Sequence, residues 1–209
     1  MASAAATVTA RPAGGPPRPR GTARREALLE AVLRIVAEIG ADAVTHRRVA
    51  EVAQLPLAST TYWFDSKEHL LTAALELAAE RDSARLHDYA HALDAAPAVD
   101  PLDAAAAAIT EPLGEDLTAS RGSLTATYAL MLEAARRPAL REIAARWTEA
   151  YIVTLSGLME QAGSARPRED AQLLLATADG LLIGQLATGS AGDLRPRLRR
   201  LAASLVGHR

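Results

Sequence analysis

Residues 45–64 read THRRVAEVAQLPLASTTYWF, and this stretch decides how the N-terminal third of the chain is organised. Thr45 is a residue type that caps helix N-termini, and the apolar positions that follow it suit a short helix to Ala53. Pro56 stops that helix, because proline lacks an N–H group and the residue before it disfavours helical angles. A second helix of only about two turns fits between Ala58 and Phe64. The stretch therefore predicts two short helices joined by a tight turn.

Helices are also predicted on both sides of this stretch. An apolar stripe at helical spacing runs over residues 28–39 in a helix that begins near Thr22, and Gly40 ends it as a C-terminal capping glycine would. After Phe64, Asp65 and Ser66 break the chain and offer a fresh N-cap. A long helix is predicted to start there with Lys67 and to run to about residue 93.

The remainder of the chain shows helical periodicity, no strand pattern and no internal repeat. Its most apolar run, Leu173 to Leu186, contains Asp179 and Gln185 and is short for a bilayer span of about 20 residues. We interpret this run as a buried helix in a soluble protein. The predicted helices cover about residues 101–118 with a break near Pro112, 121–136, 138–162, 168–188 and a last segment through Leu205. The fold class is therefore all-α.

Composition excludes several classes of protein. The 209 residues are 49% apolar, 23% charged and only 3% aromatic, so the core is built mainly from Ala, Leu, Val and Ile. The absence of cysteine excludes a disulfide scaffold, thiolate metal sites and a cysteine nucleophile, and it is compatible with a cytoplasmic protein. No GxSxG elbow, HExxH motif, P-loop or dinucleotide fingerprint is present. We therefore expect no enzyme activity and no cofactor.

Charge is distributed unevenly along the chain. Residues 1–70 carry nine Lys and Arg against seven Asp and Glu, whereas residues 71–209 carry 14 against 18. Residues 1–21 are mostly Ala, Pro, Gly and Arg without periodicity, which predicts a disordered arm. Such an arm is usually a solvated tail, and its arginines could add salt-dependent affinity for nucleic acid.

The two short helices have the chemistry for reading DNA. Binding in the major groove needs a short helix held by a second helix across the backbone. The second predicted helix begins with hydroxyl residues, which can bond phosphate or a base edge. It ends in three consecutive aromatics, residues 62–64. At least one of these must be exposed, because successive residues of a helix point about 100° apart.

This stretch resembles the N-terminal DNA-binding domain of the TetR family of bacterial transcriptional regulators. The resemblance runs from about Arg24 to Leu71, less than a quarter of the chain. It is carried by Gly40, Thr45, Val49-Ala50, Ala53, Tyr62-Trp63-Phe64, Ser66-Lys67-Glu68 and Leu70-Leu71.

The resemblance implies a role for each matching position. Two arginines begin the supporting helix, where they reach phosphate or a base edge. The hydroxyl residues of the second helix face the groove, its aromatic end presses on phosphates, Phe64 belongs to the core, and the start of the long helix takes another phosphate. The implied DNA-binding residues are Thr45, Arg47, Arg48, Ser59, Thr60, Thr61, Tyr62, Trp63 and Lys67.

Two positions depart from the family pattern. Most members have glycine where this chain has Gln54, so we expect a differently shaped turn, partly fixed by Pro56. Tyrosine is usual where this chain has Thr61, so the sequence preference of other members does not transfer.

A dimer is expected, because one helix-turn-helix covers few base pairs and a two-fold dimer places two recognition helices one DNA turn apart. In the helix over 168–188, small residues spaced by four form a shallow groove that lets another helix approach closely. The last helix adds a leucine stripe, and the resemblance implies a four-helix interface built from both. The alternative is packing within one subunit. The predicted interface residues are Ala176, Gly180, Gly184, Thr188, Leu194, Leu198, Leu201 and Leu205.

The family's remaining helices usually enclose a pocket for a small, mostly apolar ligand. A buried Asp179 would need a partner or a hydrogen bond from a ligand. Ordinary packing or capping is the alternative for every candidate. The candidate ligand-binding residues are Tyr128, Met131, Trp147, Tyr151, Asp179 and Gln185.

His87 and His91 lie four residues apart, a spacing that can bind metal. Without a third ligand in the sequence, a solvated helix face is the default reading, and no metal site is predicted.

The sequence thus predicts a disordered arm (1–21), a helix-turn-helix DNA-binding domain (22–66) and a helical ligand-binding and dimerisation domain (67–209). The predicted function is that of a cytoplasmic homodimeric regulator, a repressor that leaves its palindromic operator when a small molecule binds. The alternatives are a helical protein-interaction module and an enzyme, neither of which binds DNA.

Overall fold

The computed structural model describes residues 19–94, 99–111, 117–190 and 192–207. Within these ranges the chain is all helical, with one short 3-10 turn at Ala41–Ala43 and no strand. The α-helices are α1 (Pro19–Glu38), α2 (His46–Ala53), α3 (Leu57–Trp63), α4 (Lys67–Asp94), α5 (Pro101–Thr110), α6 (Leu117–Ala134), α7 (Pro138–Gln161), α8 (Pro167–Thr188) and α9 (Arg195–Gly207). The predicted all-α class is confirmed.

The helix boundaries follow the capping residues. The Oγ1 of Thr45 accepts a hydrogen bond from the backbone N–H of Arg48 (3.2 Å), and the Oγ of Ser66 accepts one from His69 (3.0 Å). Gly40 ends α1 with φ 106°, a conformation that favours glycine. Helix α1 begins three residues earlier than predicted, and most of the predicted disordered arm lies outside the described residues.

The turn between α2 and α3 holds a strained residue. Gln54 has φ 54° and ψ 39°, and among the described residues it is the only non-glycine with positive φ. The expectation that Gln54 would reshape the turn by avoiding this conformation is therefore wrong. The backbone N–H of Leu55 bonds to the carbonyl of Ala50 (3.0 Å), which closes the end of α2 around the left-handed residue.

Two apolar clusters form the core. The first packs α1, α2 and Phe64 against α4, α6 and α7, and it includes Leu28, Leu70 and Leu130, all fully buried. The second joins α5, α8 and α9 to the distal halves of α4 and α7. Because the first cluster crosses the predicted boundary at residue 66, the N-terminal helices are held by the same core as the helices that follow.

The C-terminal half departs from prediction in two places. Helix α5 ends at Thr110, just before the predicted break near Pro112, which lies outside the described residues, and the helix predicted to begin at about residue 121 begins at Leu117. Among the described residues, α8 alone is long and apolar enough to cross a membrane. Only 28% of its apolar 18-residue segment is buried inside the protomer. Leu173 and Ile183 are 54% and 47% exposed, so α8 is not the buried helix that its composition predicted.

We expect Gln54→Gly to stabilise the protein. A side chain in the left-handed region costs about 1–2 kcal/mol, and glycine avoids this cost. Glycine also makes the unfolded chain more flexible, which lowers the free energy of unfolding by about 0.4–1 kcal/mol. The net gain of about 0.5–1 kcal/mol corresponds to a rise in Tm of about 2–3 °C for a chain of this size. Thermal unfolding monitored by circular dichroism measures it. The control is Gln54→Ala, which keeps the strain, and an equal or lower Tm for Gln54→Gly would contradict this account.

Candidate nucleic-acid interface and ligand pocket

Helix α3 turns one continuous face to the outside. Leu57 and Tyr62 are 50% and 67% exposed, and Ala58 and Thr61 between them are also exposed. These four positions recur at i, i+1, i+4 and i+5, so they lie along one side of the helix. Leu57 was not predicted from the sequence, because the predicted helix began at Ala58 and left Leu57 in the preceding turn, whereas α3 begins at Leu57.

The opposite face of α3 packs inward. Thr60 is fully buried, and its Oγ1 donates to the carbonyl of Leu57 (2.8 Å), so the predicted exposure of Thr60 to DNA is wrong. A helix of two turns must bury one side to stay attached, and Thr60 is on that side. Ser59 is half-buried at the edge of the exposed face.

The aromatic end of α3 divides between surface and core. Phe64 is buried, as predicted, and Arg25 lies over its ring at 5.7 Å from the centroid. Trp63 is half-buried against the first core cluster, and its ring lies 3.5 Å from where a Cβ at Gly21 would be. Tyr62 stacks edge-on against Trp63, with ring centroids 5.0 Å apart, and points outward. Of the three aromatics, Tyr62 is therefore the one presented to a partner.

The three basic residues predicted to contact DNA differ in whether their side chains already have partners within the protomer. Arg47 forms an exposed ion pair with Glu51 (2.9 Å), whereas the exposed side chain of Arg48 has no ion pair within the described part of the chain. Lys67 donates to the carbonyl of Asp42 (2.9 Å), and its ammonium is 3.6 Å from the carboxylate of the same residue. The lysine thus ties the start of α4 to the 3-10 turn.

A cavity of about 280 Å³ lies between α4, α6, α7 and α8. Five of the six residues predicted to bind ligand line it, and Gln185 does not. The amide nitrogen of Gln185 instead donates to the carbonyl of Gly192 (2.8 Å), so this side chain holds part of the connection between α8 and α9. The lining residues are Asp82, Arg85, Ile109, Ser123, Leu124, Thr127, Tyr128, Met131, Trp147, Thr148, Tyr151, Leu175, Asp179 and Leu182.

Asp82 organises one wall of the cavity. One carboxylate oxygen accepts from the indole N–H of Trp147 (2.8 Å) and from the hydroxyl of Tyr151 (2.7 Å). The other accepts from Arg85 (3.2 Å). Sequence reasoning missed Asp82, because an acid among the charged residues of α4 reads as part of a solvated face.

Asp179 lines the cavity from α8. Its carboxylate accepts a hydrogen bond from the hydroxyl of Tyr128 (2.9 Å), which is the partner that a buried acid requires. Burial raises the pKa of Asp179, although the bond from Tyr128 opposes that shift. Burial, together with the neighbouring acids, also raises the pKa of the Tyr128 and Tyr151 hydroxyls, so both stay protonated and act as donors. The charged groups of the lining are two carboxylates, those of Asp82 and Asp179, and one guanidinium, that of Arg85.

Part of the predicted dimer surface is exposed on the protomer. Ala176, Gly180, Gly184 and Thr188 are all exposed along α8, and a Cβ added at either glycine would meet nothing within 4 Å. Leu201 and Leu205 on α9 are half-buried. Leu194 and Leu198 are 3% and 0% exposed in the second core cluster, so their prediction as interface residues is wrong. Both anchor α9 to its own subunit.

His87 and His91 face each other on the exposed side of α4. Their Nε2 atoms are 2.9 Å apart, a hydrogen-bonding distance. Within the described residues, no group of three or more His, Cys, Asp or Glu side chains is arranged to hold a metal ion.

Solved structures resemble the chain over nearly its whole length. EbrR complexed with imidazole, a multidrug binding protein, is 33% identical, with 89% of this chain and 96% of that chain covered and a TM-score of 0.67. A TetR-family member from Streptomyces coelicolor A3 is 34% identical, with 87% and 97% covered and a TM-score of 0.70. A transcriptional regulator from Rhodococcus sp. Rha1 is 26% identical, with 87% and 95% covered and a TM-score of 0.74. EbrR has also been solved with ethidium, malachite green and proflavin.

Family comparison agrees with these structures. Residues 100–208 match the model of the tetracyclin repressor-like C-terminal domain, which is more than half of the chain. No match was found among curated proteins. With a helix-turn-helix ahead of that matched domain, the chain belongs to the TetR family of transcriptional regulators.

Proposed function

We propose that the chain is a cytoplasmic repressor that binds a palindromic operator as a homodimer and leaves it when a small molecule enters the cavity. As a TetR-family member it is a non-enzymatic, DNA-binding transcriptional regulator with a ligand-binding C-terminal domain. The observation that carries the finer proposal is α4, which packs on the N-terminal helices and also lines the cavity. In this proposal, residues 22–66 bind DNA and residues 67–209 bind ligand and dimerise.

The exposed face of α3 is the surface proposed to enter the major groove. Tyr62 and Thr61 are its polar members, and Tyr62 can donate its hydroxyl to a phosphate. Arg48 lies at the start of α2, free to pair with the DNA backbone, whereas Arg47 must first give up its bond to Glu51. Lys67 contributes indirectly in this arrangement, by fixing the start of α4.

Operator binding should depend on Tyr62. We expect Tyr62→Ala to lower affinity at least about tenfold, because a hydrogen bond to a charged phosphate contributes about 1.5–3 kcal/mol and each dimer makes two. The Tm should stay within about 2 °C of wild type, because the side chain is 67% exposed. Fluorescence anisotropy with a labelled duplex at several salt concentrations measures affinity, which should fall steeply with salt. Leu132→Ala, a 72% exposed position on α6, is the control.

Equal affinity in wild type and Tyr62→Ala would remove Tyr62 from the interface. Failure of the wild-type chain to select any duplex from a random pool would reject DNA binding and favour a protein-interaction module.

The exposed stripe of α8 supports the homodimer. Its four small residues leave a shallow groove, and Leu173 and Ile183 expose apolar side chains beside it. A second copy of α8 related by a two-fold axis would cover both leucine and isoleucine, which removes apolar surface from water.

Gly184→Leu should break the dimer without unfolding the protomer. A Cβ at position 184 meets nothing within 4 Å inside the subunit and the position is exposed, so we expect the fold to tolerate leucine, whereas a second helix could no longer approach closely. We expect light scattering after size exclusion to give half the wild-type mass, and circular dichroism to give the wild-type helix content. Gly122→Leu is the matched control, an exposed helical glycine on α6 that also has open space. A Gly184→Leu variant with the wild-type mass would exclude this face.

The cavity favours an aromatic, positively charged ligand. The lining holds two carboxylates and one guanidinium, that of Arg85, which already pairs with Asp82, and three aromatic side chains, Tyr128, Trp147 and Tyr151, line the same space. A planar cation would pair with an acid and stack on these rings. That EbrR, at 33% identity, has been solved with the dyes ethidium, malachite green and proflavin supports the same class.

Two consecutive residues of α4 can transmit the effect of ligand binding to the DNA-binding helices. Asp82 holds Trp147 and Tyr151 in the cavity wall, and Arg81 pairs with Glu26 (2.6 Å) and Glu30 of α1. A ligand that accepts the hydrogen bonds of Trp147 or Tyr151, or that pairs with Asp82, breaks the contacts that hold α4 to α7. The position that α4 prefers then changes. Since Arg81 moves with Asp82, α1 and the helices packed on it would follow. By linkage, the ligand weakens operator binding only if it prefers that displaced state.

Two variants separate ligand binding from release. We expect malachite green to displace wild-type protein from its duplex, and Asp179→Asn to bind dye about tenfold more weakly because one charge is lost. Arg81→Met should bind dye normally yet stay on DNA, since the tie to α1 is gone, with a stability cost of about 1 kcal/mol for a half-exposed ion pair. Dye fluorescence and duplex anisotropy give the two readouts. Equal release from wild type and Asp179→Asn would show that the dye acts on the DNA, and release of Arg81→Met would reject the α4 route.

A further inference from the structure

Helix α3 lacks the side chains that usually identify bases. Its sequence, LASTTYW, contains no Arg, Lys, Asn, Gln, Asp or Glu. Arg and Lys pair with guanine, Asn and Gln with adenine, and Glu or Asp with cytosine. Helix α3 cannot make any of these contacts from its own residues.

The first turn of α3 is also apolar where it meets the outside. Leu57 is 50% exposed, Ala58 is exposed, and the preceding residue, Pro56, is exposed too. The hydroxyl of Thr60 is buried, and that of Thr61 lies 3.4 Å from the carbonyl of Ala58. In helix-turn-helix proteins, the N-terminal residues of the recognition helix contact the base edges. An apolar pair therefore stands at the position where specificity is decided.

The major groove offers one apolar group to such a pair, the C5-methyl group of thymine. We propose that Leu57, supported by Ala58, recognises a thymine methyl group in each half of the operator. This inference rests on the proposed DNA binding of α3. It assigns base discrimination to contact between apolar groups, with the arginines and Tyr62 supplying affinity through phosphates.

The exposure of Leu57 fits this role better than a role in stability. Half of the side chain is in water within the protomer, so its removal costs little of the core. Burial against a methyl group on DNA would bring the same surface out of water at the moment of recognition.

The test compares thymine with deoxyuridine, which lacks only the methyl group. A duplex is first selected from a random pool with the full-length wild-type chain, and each thymine of both half-sites is then replaced in symmetric pairs. At one position we expect about a fourfold loss of affinity per methyl group, or about fifteenfold for the pair. For Leu57→Ala the same replacement should cost less than about twofold. Leu132→Ala, an exposed leucine on α6, should keep the full wild-type sensitivity.

Each outcome decides the matter. Selection of no duplex would reject the proposed DNA binding and this inference with it. A selected duplex whose affinity is unchanged by every replacement would leave DNA binding intact and overturn the role of Leu57. The role would also be overturned if Leu57→Ala remained as sensitive to the methyl group as wild type.

Discussion

Two neighbouring residues of α4 face in different directions, and the proposed switch depends on this. Successive residues of a helix point about 100° apart, so Arg81 can reach the carboxylates of α1 while Asp82 turns into the cavity. Asp82 holds Trp147 and Tyr151, and Arg81 holds Glu26 and Glu30. Because the helix is rigid between adjacent residues, the two sets of contacts cannot move independently.

Six of the seven aromatic residues lie in or next to the two candidate sites. Of seven in the chain, three end α3 (residues 62–64), and three line the cavity: Tyr128, Trp147 and Tyr151. Apart from Phe64 and Trp147, the core is built mainly from aliphatic residues, above all Ala and Leu, which form helices readily and leave few polar atoms to satisfy. The hydrogen bonds that Tyr128, Trp147 and Tyr151 donate to Asp82 and Asp179 thus lie in the cavity wall, where a ligand can compete for them.

Sequence reasoning predicted what local chemistry decides. Caps, glycines and prolines determined most helix boundaries, and the aromatic end of α3 identified the exposed Tyr62. It failed where tertiary packing decides. Thr60 looked like a groove residue until α3 was placed on its support, and the exposure of Leu57 was not predicted, because it also depends on how α3 packs. Gln185 looked like a cavity residue, but its side chain bonds to the loop that follows its helix.

Tertiary packing also decides which residues of the C-terminal helices are available to a partner. The leucine stripe of α9 is regular, yet Leu194 and Leu198 face their own subunit, and spacing alone cannot tell one buried face from another. The cavity gave a further example, because Asp82 acts through a position on α4 that looks solvated in sequence. Five of the six ligand candidates line the cavity, although ordinary packing or capping was the alternative for each of them in the sequence.

The distance between the two copies of α3 in the free dimer tests the central claim most directly. The chain has no cysteine, so Ala58→Cys, an exposed position on α3, takes one spin label per protomer. Pulsed electron paramagnetic resonance should give one narrow distance of about 35 Å, matching one turn of DNA, and a different distance when malachite green is added. Absence of a dipolar signal, or a distance that saturating dye leaves unchanged, would contradict the account.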